Sequence, residues 1–462
     1  MLFPTMQFGL FFLVVYAITW GFGRDNNARK WFLLLASWVF YAAWDWRFVA
    51  LLIASGFLNW WFAERVNRST ERRHRIAWVA SGVTVNLIIL GFFKYYGFFV
   101  EEAGHLLELF GWERDLPLLE IVLPVGVSFF TFQGISYLVD VHRGKTPVAD
   151  SVGDVLLLMS FFPHLVAGPI VRASHLLPQF ERTPKLSREI VCHGLVLIAW
   201  GLFKKTVIAS ELATRIVDPV FFDPSAHGAA DLALAAYAYA VQIYCDFSAY
   251  SDIAIGIAAL LGYRFPRNFD QPYRSHSLQE FWRRWHISLS SWLRDYLYVP
   301  LGGGRGAVWK TSRNLMITML LGGLWHGAAW TFIAWGALHG AVLAIERILP
   351  RRAPSVLGVI VTFHVVLLGW ILFRSETFAQ ALAFLSGLAT NWTLPVMATP
   401  LIVALVFIGL AIHALPPRAG EAVARALARL PSPATALIFG MTVLLVEAIR
   451  PEGIAPFIYF QF

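Results

Sequence analysis

The chain has 462 residues, of which 58% are hydrophobic and 14% charged, and its mean hydropathy is +0.61. Average soluble proteins are about 45–50% apolar and about 25% charged, so this composition excludes a soluble enzyme, a secreted disulfide scaffold and a disordered protein. The net charge of +8 comes from short basic runs between apolar stretches, which is typical of cytoplasmic membrane loops rather than of nucleic-acid binding. We therefore predict an all-α polytopic integral membrane protein.

Apolar runs of about 20 residues, the length needed to cross a bilayer, recur along the chain. The candidate segments lie near residues 5–22, 31–44, 47–63, 76–100, 118–140, 152–168, 190–210, 232–262, 313–331, 332–349, 355–373, 378–390, 397–414 and 434–449. Several are too short to span alone, which predicts roughly 11–13 crossings, with re-entrant or amphipathic segments as the remainder. No repeat or low-complexity linker divides the chain, so a single membrane domain over residues 1–462 is expected.

The charges of the connecting segments predict an orientation. Segment 64–75 holds five arginines, whereas segment 101–117 holds five acidic residues and one arginine. The positive-inside rule places the first segment in the cytoplasm and the second outside. Counting back through three spans puts the N-terminus outside as well. The first basic residue, Arg24, follows the first apolar run, which is not the order found in a cleaved signal peptide.

His326 lies near the middle of the apolar run 313–340, and small residues surround it at Gly322, Gly323 and Gly327. Small residues let a neighbouring backbone or a ligand approach closely. In one interpretation His326 hydrogen-bonds a neighbouring helix. In the other it is a general base or proton shuttle, because desolvation disfavours the charged imidazolium and leaves a neutral base. We interpret His339, further along the same run, as structural.

Segment 280–305 combines two stripes at helical spacing. The apolar stripe consists of Trp285, Leu289, Trp292, Leu293 and Tyr296, and the polar stripe of Arg283, His286, Ser290 and Arg294. The spacing predicts one short amphipathic helix that presents a histidine between two arginines. It is either an interfacial helix anchored at the lipid headgroups or a site for an anionic substrate such as a coenzyme A or phosphopantetheine group, since arginine binds phosphate in bidentate fashion.

Two carboxylates, Asp246 and Asp252, lie in the otherwise apolar span within 241–274. Buried carboxylates need partners, which we expect to be arginine or histidine residues of the two segments above. Structural ion pairing is one interpretation, and a proton pathway is the other.

Other chemical motifs are missing from the sequence. Cys192 and Cys245 have no metal-ligand spacing and are predicted to be buried, inert thiols. The glycine-rich segment 302–306 lacks the Gly-Lys-Ser/Thr of a phosphate loop, and neither G-x-S-x-G nor H-E-x-x-H occurs. Covalent serine catalysis and metal catalysis therefore have little support, and no metal site is expected.

Several longer segments resemble the membrane-bound O-acyltransferase (MBOAT) family, in particular its bacterial branch with the alginate O-acetylation protein and the D-alanine exporter of teichoic acids. They are PVGVSFFTFQGISYLVDVHRG (124–144), FFPHLVAGPIVRASHLLPQF (161–180), QIYCDFSAYSDIAIG (242–256), EFWRRWHISLSSWLRDYLYVPLGG (280–303) and NLMITMLLGGLWHGAAWTFIAWGALHG (314–340). The resemblance runs in order from about residue 80 to 375. Two departures from the family pattern, Ala249 for glycine and Gly304 for asparagine, remove no proposed catalytic group.

The resemblance implies both a fold and a chemistry. It implies a ring of helices around a central funnel, with His326 as the invariant histidine of the family and His286 as its second polar position. It also implies a cytoplasmic thioester donor, acetyl-CoA or an acyl carrier, without a tightly bound cofactor. The acceptor would be an exported polysaccharide, often modified through a periplasmic SGNH-type acetyltransferase partner.

Three hypotheses follow for the function. In an O-acetyltransferase, His326 takes the proton of the acceptor hydroxyl, His286 orients the donor or shares the proton transfer, and the donor phosphates are held by Arg283, Arg284 and Arg294. A proton-coupled transporter would use Asp246, Asp252 and the histidines as relays, although no paired repeats are found. A scaffold that recruits periplasmic partners would need no catalytic histidine.

Overall fold

The computed structural model describes residues 1, 3–112, 119, 121–166, 168–349, 353–416, 418–451 and 456–457. All regular structure in these residues is helical, which confirms the all-α prediction. The chain divides into two compact units, one formed by residues 1–185 and 261–265 and the other by residues 186–260 and 266–462. The single membrane domain over 1–462 stays a prediction. Part of the predicted external segment 101–117, namely 113–117, lies outside the described residues.

The described residues of the first unit form nine α-helices. They are α1 (Met6–Gly21), α2 (Asn26–Asp45), α3 (Val49–Arg68), α4 (Arg72–Leu90), α5 (Tyr96–Leu109), α6 (Val127–His142), α7 (Val152–Ser160), α8 (Phe162–Leu165) and α9 (Ala173–Phe180), with a 3₁₀ turn at Trp46–Phe48 and a π-helical segment at Gly91–Tyr95. Polar side chains cap several starts: Thr5, Asp25 and Ser151 each accept a hydrogen bond from a backbone N–H three residues ahead. These caps satisfy donors that a helix start leaves unpaired.

The core of the first unit lies around α6, which packs against α3 and α4 and is buried along nearly its whole length. Asn59 and Asn86 exchange side-chain hydrogen bonds of 3.2 and 2.9 Å between α3 and α4. Gly134 of α6 lies directly against Asn59, where a Cβ would overlap the amide. The paired amides satisfy each other's polar groups inside an apolar interior, as buried polar groups require.

The second unit contains thirteen α-helices among the described residues. They are α10 (Arg188–Leu202), α11 (Ser210–Leu212), α12 (Asp218–Phe222), α13 (Ala229–Leu260), α14 (Leu278–Arg284), α15 (Ile287–Leu293), α16 (Val308–His326), α17 (Trp330–Ile348), α18 (Val356–Arg374), α19 (Phe378–Thr390), α20 (Pro400–Ala411), α21 (Ala419–Ala428) and α22 (Ser432–Ile449). Further segments are π-helical at Phe203–Ala209, Ala213–Val217 and Arg294–Tyr298 and 3₁₀-helical at Pro224–Ala226, Pro272–Arg274 and Ile412–Ala414. The centre of this unit is α13, a 32-residue helix that packs against α10, α18, α19 and α20. It is mostly apolar and buried along most of its length, as expected of a helix surrounded by others.

The structure contains fewer long apolar helices than the roughly 11–13 crossings expected from the sequence. Seven described segments are long and apolar enough to cross a membrane, or eight if the bent pair Pro400–Ala414 and Ala419–Ala428 is one span. The seven are Asn26–Arg68, Arg72–Leu109, Arg188–Phe222, Ala229–Leu260, Trp330–Ile348, Val356–Arg374 and Ser432–Ile449. Part of the difference arises because the expected spans 31–44 and 47–63 join into one continuous helical segment, and 152–168 breaks at Phe161 into two short helices. In addition, α1 and α19 are apolar but have only 16 and 13 residues.

Close contact between α16 and α17 depends on glycine. A Cβ on Gly323 would overlap the carbonyl oxygen of Phe332, and a Cβ on Gly336 would overlap that of Met319. Small residues at such positions allow two backbones to approach and gain van der Waals contact. Gly323, three residues before His326, therefore serves helix packing.

Replacing Gly323 by alanine is expected to destabilise the protein by about 1–3 kcal/mol, because the backbone of α17 must move to admit the methyl group. The measurement is thermal unfolding in detergent followed by tryptophan fluorescence. A matched control is Gly440→Ala on α22, where a Cβ would meet nothing within 4 Å. Equal unfolding temperatures for the two variants would contradict the overlap at Gly323.

Candidate active site

His326 is the last residue of α16, and its side chain is enclosed by aromatic rings. The residue is 4% exposed. The centroid of its imidazole lies 5.0 Å from that of Trp325, 5.1 Å from that of Trp335 and 5.2 Å from that of Phe373. The interplanar angles to Trp335 and Phe373 are 83° and 71°, so these rings meet the imidazole edge to face. Aromatic rings thus form much of the wall around this nearly buried side chain.

A short turn after His326 creates this enclosure. α16 ends because Gly327 is extended, with φ −157° and ψ 150°, and α17 begins three residues later at Trp330. A Cβ on Gly327 would overlap the ring of Phe332, so glycine permits the tight reversal. The reversal returns the chain along α16 and places Trp335 against the histidine. The apolar run that the sequence shows is therefore a helical hairpin with His326 at its tip.

His286 lies between α14 and α15 in the left-handed conformation, with φ 42° and ψ 56°. The prediction of a single amphipathic helix over this segment is therefore wrong. The chain breaks because Trp285 is extended and buries its indole with His286, the two residues being 2% and 0% exposed. Burying both side chains stabilises the fold more than continuing a surface helix would, because burial removes apolar area from contact with water.

The break moves His286 away from the polar stripe and into the same aromatic core as His326. Its ring packs edge to face on Phe247, with centroids 4.6 Å apart, and its centroid lies 6.3 Å from that of Trp325. Trp325 also contacts His326. The two predicted catalytic histidines thus share one tryptophan neighbour, although they belong to separate segments of the chain.

The predicted donor-binding arginines lie elsewhere. Arg283 is exposed, and Arg294 is exposed and paired with Asp295 at 2.8 Å. Arg284 forms an ion pair of 2.7 Å with Glu280 and donates a hydrogen bond to the carbonyl oxygen of Asp270. Ser290 is half-buried, and its backbone N–H donates to the carbonyl oxygen of His286. None of these four side chains has a described contact with His286.

The charge of Arg284 is already balanced inside the protein. Burial alone would raise the pKa of Glu280, but hydrogen bonds from the backbone N–H of His276 and from Arg284 outweigh burial and lower it. The carboxylate is therefore ionised and holds the guanidinium. Of the three arginines, Arg284 is the least suited to binding a donor phosphate.

Asp246 forms a buried ion pair, and Asp252 a partly buried one, with two adjacent lysines. Lys205 Nζ lies 2.8 Å from Asp246 Oδ1, with side-chain exposures of 1% and 2%. Lys204 Nζ lies 2.8 Å from Asp252 Oδ2 and donates to Ser248 Oγ at 2.6 Å. The prediction of ion pairing is confirmed, but the prediction that the partners are arginine or histidine residues is wrong, because both partners are lysines. The sequence signal for the correct partners was the Lys-Lys pair inside the apolar run 190–210, because lysines at such positions must be paired.

His339 lies on α17, four residues after Trp335. Its ring packs against that of Trp335 with the centroids 4.6 Å apart and the planes tilted by 33°, and its Nδ1 accepts a hydrogen bond of 3.2 Å from Trp282 Nε1. Cys192 and Cys245 are buried free thiols, as predicted. Over the described ranges, no group of three or more His, Cys, Asp or Glu residues could hold a metal ion.

Burial of neutral histidine makes the fold sensitive to acid. Burial lowers the pKa of His286 to about 3 and that of His164, in the first unit, to about 4. The unfolded chain binds protons at these histidines as the pH falls through about 6.5, whereas the folded protein does not bind them until the pH reaches the lowered values. Between these lowered pKa values and a pH of about 6.5, protons therefore favour the unfolded state. At higher pH these histidines are neutral in both states and do not make stability depend on pH.

We expect the unfolding temperature to fall as the pH is lowered from about 7.5 to about 5, and to fall less steeply in the variant His286→Phe. Scanning fluorimetry of the detergent-solubilised protein across this pH range measures both slopes. An identical pH dependence in the variant would contradict the assignment of a neutral, buried His286.

Comparison with known proteins identifies the class of this helical membrane protein. Residues 151–354 match MBOAT, the membrane-bound O-acyltransferase family. The chain is 45% identical over 376 residues to the "Probable alginate O-acetylase AlgI" of Azotobacter vinelandii, covering 79% of this chain and 74% of the relative. It is 35% identical over 425 residues to the "Peptidoglycan O-acetyltransferase" of Helicobacter pylori, covering 84% and 80%. A more distant relative is the "Teichoic acid D-alanyltransferase" of Streptococcus thermophilus, 27% identical over 281 residues and covering 54% and 68%.

The chain belongs to the membrane-bound O-acyltransferase family. It is thus a multi-pass integral membrane enzyme that transfers acyl groups to hydroxyl oxygens, as the resemblance implied. This membership favours the enzyme over the transporter hypothesis. The segment matched by the family contains both His286 and His326.

Proposed function

We propose that this protein is an O-acetyltransferase of the bacterial inner membrane that acts in the O-acetylation of an exported polysaccharide. The acetyl group would come from a cytoplasmic thioester, either acetyl-CoA or an acyl carrier. The names of the Azotobacter and Helicobacter relatives support this class of acceptor, since one refers to alginate and the other to peptidoglycan. A periplasmic SGNH-type acetyltransferase would complete the transfer to the polymer.

The observation that carries the proposal is the position of His326 at the tip of the α16–α17 hairpin, closed in by Trp325, Trp335 and Phe373. A neutral imidazole in such surroundings can accept a proton without competition from bulk water. Deprotonation by a positioned base activates a hydroxyl group, which otherwise attacks a thioester slowly.

The proposed step conserves atoms and charge. The acceptor hydroxyl oxygen attacks the carbonyl carbon of the thioester while its proton passes to a ring nitrogen of His326. The tetrahedral intermediate then expels the sulfur as the C–S bond breaks, and the imidazolium returns the proton to the thiolate. An ester and a free thiol result, and His326 ends neutral.

Under the proposal, the other predicted residues have the following roles. His286 shares Trp325 with His326 and is assigned to orienting the donor or sharing the proton transfer. Arg283 and Arg294 are exposed cations that could hold donor phosphates, whereas Arg284 is engaged by Glu280. Asp246 and Asp252 are assigned to structural ion pairs.

The test is the ester-linked acetate on exported glycans in a deletion strain carrying wild-type protein, His326→Ala or no copy. Under the proposal acetate is lost in the deletion and in His326→Ala, although the variant protein accumulates in the membrane, and the affected polymer identifies the acceptor. Normal acetate with His326→Ala, combined with loss in the deletion, would overturn the catalytic role of His326 and favour the scaffold hypothesis.

A further inference from the structure

A small polar cluster surrounds His286 inside the otherwise aromatic core. Its members are Asn268, Ser288 and Ser251, which are 1%, 6% and 1% exposed. Asn268 belongs to no recognisable sequence motif and precedes α14 by ten residues. Its side chain nevertheless contacts the backbone on the far side of His286, so the cluster ties together chain segments that are separate in sequence.

Hydrogen bonds fix which way the Asn268 amide faces. Its Oδ1 accepts from the backbone N–H of Ser288 at 3.1 Å and from Ser288 Oγ at 2.8 Å, while its Nδ2 donates to Ser251 Oγ at 3.1 Å. A flipped amide would turn its NH₂ group towards the backbone N–H of Ser288, and two donors would face each other. The backbone N–H therefore requires an oxygen at this position.

This orientation determines the protonation of the imidazole. His286 Nδ1 lies 3.3 Å from Asn268 Oδ1 and 3.4 Å from Ser288 Oγ, whose proton is already donated to Oδ1. Both neighbouring oxygens therefore offer lone pairs to Nδ1, so Nδ1 must carry a hydrogen. Burial lowers the pKa of His286 to about 3, so the ring is neutral and has one N–H. The lone pair is then on Nε2.

Asn268 also holds the backbone of His286 in an unusual conformation. Its carbonyl oxygen accepts from the N–H of Ile287 at 2.9 Å, directly after the left-handed residue. Among the described non-glycine residues, His286 and Gln271 have positive φ. Such a conformation is unfavourable for a residue with a Cβ and persists where the surroundings enforce it, often at functional sites.

We infer that Asn268 is a positioning residue of the acyl-transfer site, which holds His286 as the Nδ1–H tautomer and so makes Nε2 its proton-accepting nitrogen. The inference rests on the proposed function, because it gives His286 a defined part in that reaction. A histidine whose Nδ1–H is held by an oxygen acceptor presents a fixed, oriented base at Nε2. Asn268 itself touches neither substrate nor donor in this scheme.

The direct test is the tautomer of His286 in the full-length protein. Nitrogen NMR of protein labelled with ¹⁵N-histidine distinguishes a protonated from an unprotonated ring nitrogen, and the signals of His286 are identified by their loss in His286→Phe. We expect a protonated Nδ1 and an unprotonated Nε2 at neutral pH. The opposite tautomer would overturn the inference whatever the activity of the enzyme.

Two variants of Asn268 connect the tautomer to activity. Asn268→Leu removes the acceptor, and we expect mixed tautomers and a loss of acetylation of roughly 10²-fold, the contribution of one positioned base. Asn268→Asp keeps an oxygen for Nδ1–H and for Ser288, so the Nδ1–H tautomer and most of the activity should return. Ser251→Ala is the matched control, since it removes a contact of Asn268 without touching His286.

The outcomes separate this inference from the function on which it rests. An unchanged tautomer and full activity in Asn268→Leu would overturn the inference alone. Equal losses in Asn268→Leu and Asn268→Asp, with the wild-type tautomer retained in both, would show a merely structural residue and overturn it as well. A fully active His286→Phe would overturn the proposed role of His286, and this inference with it.

Discussion

Replacing His326 by phenylalanine is expected to lower the rate of acyl transfer by roughly 10²–10⁴-fold, the usual contribution of a general base. Phenylalanine keeps a flat ring against Trp335 and Phe373 and removes both nitrogens, so the packing of the α16–α17 hairpin should persist. The thermal unfolding of the variant should therefore stay close to that of the wild type. The lower rate would then result from the missing base and not from a change in the fold.

The measurement is the initial rate of ester formation by the purified enzyme in detergent, alongside its unfolding temperature. His413→Phe is a matched control, because His413 is another buried histidine of the second unit, packed on Tyr244 and Tyr273 at 4.3 and 4.7 Å. The control should retain activity. A His326→Phe variant as active as His413→Phe would remove His326 from the mechanism.

Breaking the buried ion pair between Lys205 and Asp246 is expected to destabilise the protein by about 3–5 kcal/mol. In Lys205→Met, the ammonium 2.8 Å from Asp246 is lost while the carboxylate stays in an interior where both side chains were at most 2% exposed. A buried carboxylate deprived of its counter-charge is costly, because water cannot reach it. Thermal or denaturant unfolding in detergent measures the effect.

A double-variant cycle separates this pair from simple loss of packing. Lys205→Met combined with Asp246→Leu leaves no charge at the site and should recover most of the lost stability. The exposed pair of Arg425 and Glu421 is the matched control, and Arg425→Met should change stability by at most about 1 kcal/mol. Additive effects of the two buried substitutions would show that the charges do not depend on each other.

The two ion pairs also bear on the transporter hypothesis. Lys204 and Lys205 each contact one aspartate of α13, so the carboxylates that were candidates for a proton relay are engaged by lysine ammonium groups. The balanced acyl-transfer step returns its proton to the thiol and needs no proton exit. The positions of Asp246 and Asp252 are thus explained by a structural role, because their ion pairs join the segment Phe203–Ala209 to α13.

Parts of the site could be predicted from the sequence because they depend on local chemistry. His326 stands out as a histidine in an apolar run, and Asp246 and Asp252 stand out as carboxylates that need partners. The sequence of segment 280–305 also pointed to His286, but the prediction that this histidine lies on the polar face of a continuous helix was wrong. Helical spacing assumes a continuous helix, and the break at Trp285 and His286 depends on tertiary burial that periodicity does not contain.

Asn268 shows a different limit of prediction. An asparagine between Arg267 and Phe269 carries no motif, and only the folded chain brings its amide to Ser288 and His286. The same holds for Trp335 and Phe373, whose aromatic side chains look like any others in a chain with 38 Phe and 19 Trp. Which rings enclose His326 depends on the hairpin turn at Gly327 and on the packing of α18.

Composition and hydropathy by themselves determined that this chain is helical and membrane-embedded, because only helices satisfy their backbone hydrogen bonds within a continuous apolar segment in lipid. The resemblance of its motifs identified the acyltransferase family and singled out His326 and His286 as candidate catalytic residues. The tertiary structure decided how many helices are long enough to span a membrane and which lysines pair with Asp246 and Asp252. It also decided that His286 has a left-handed backbone conformation and lies beside Asn268 and Trp325. These features arise from contacts between distant segments, where burial and hydrogen bonding outweigh local propensity.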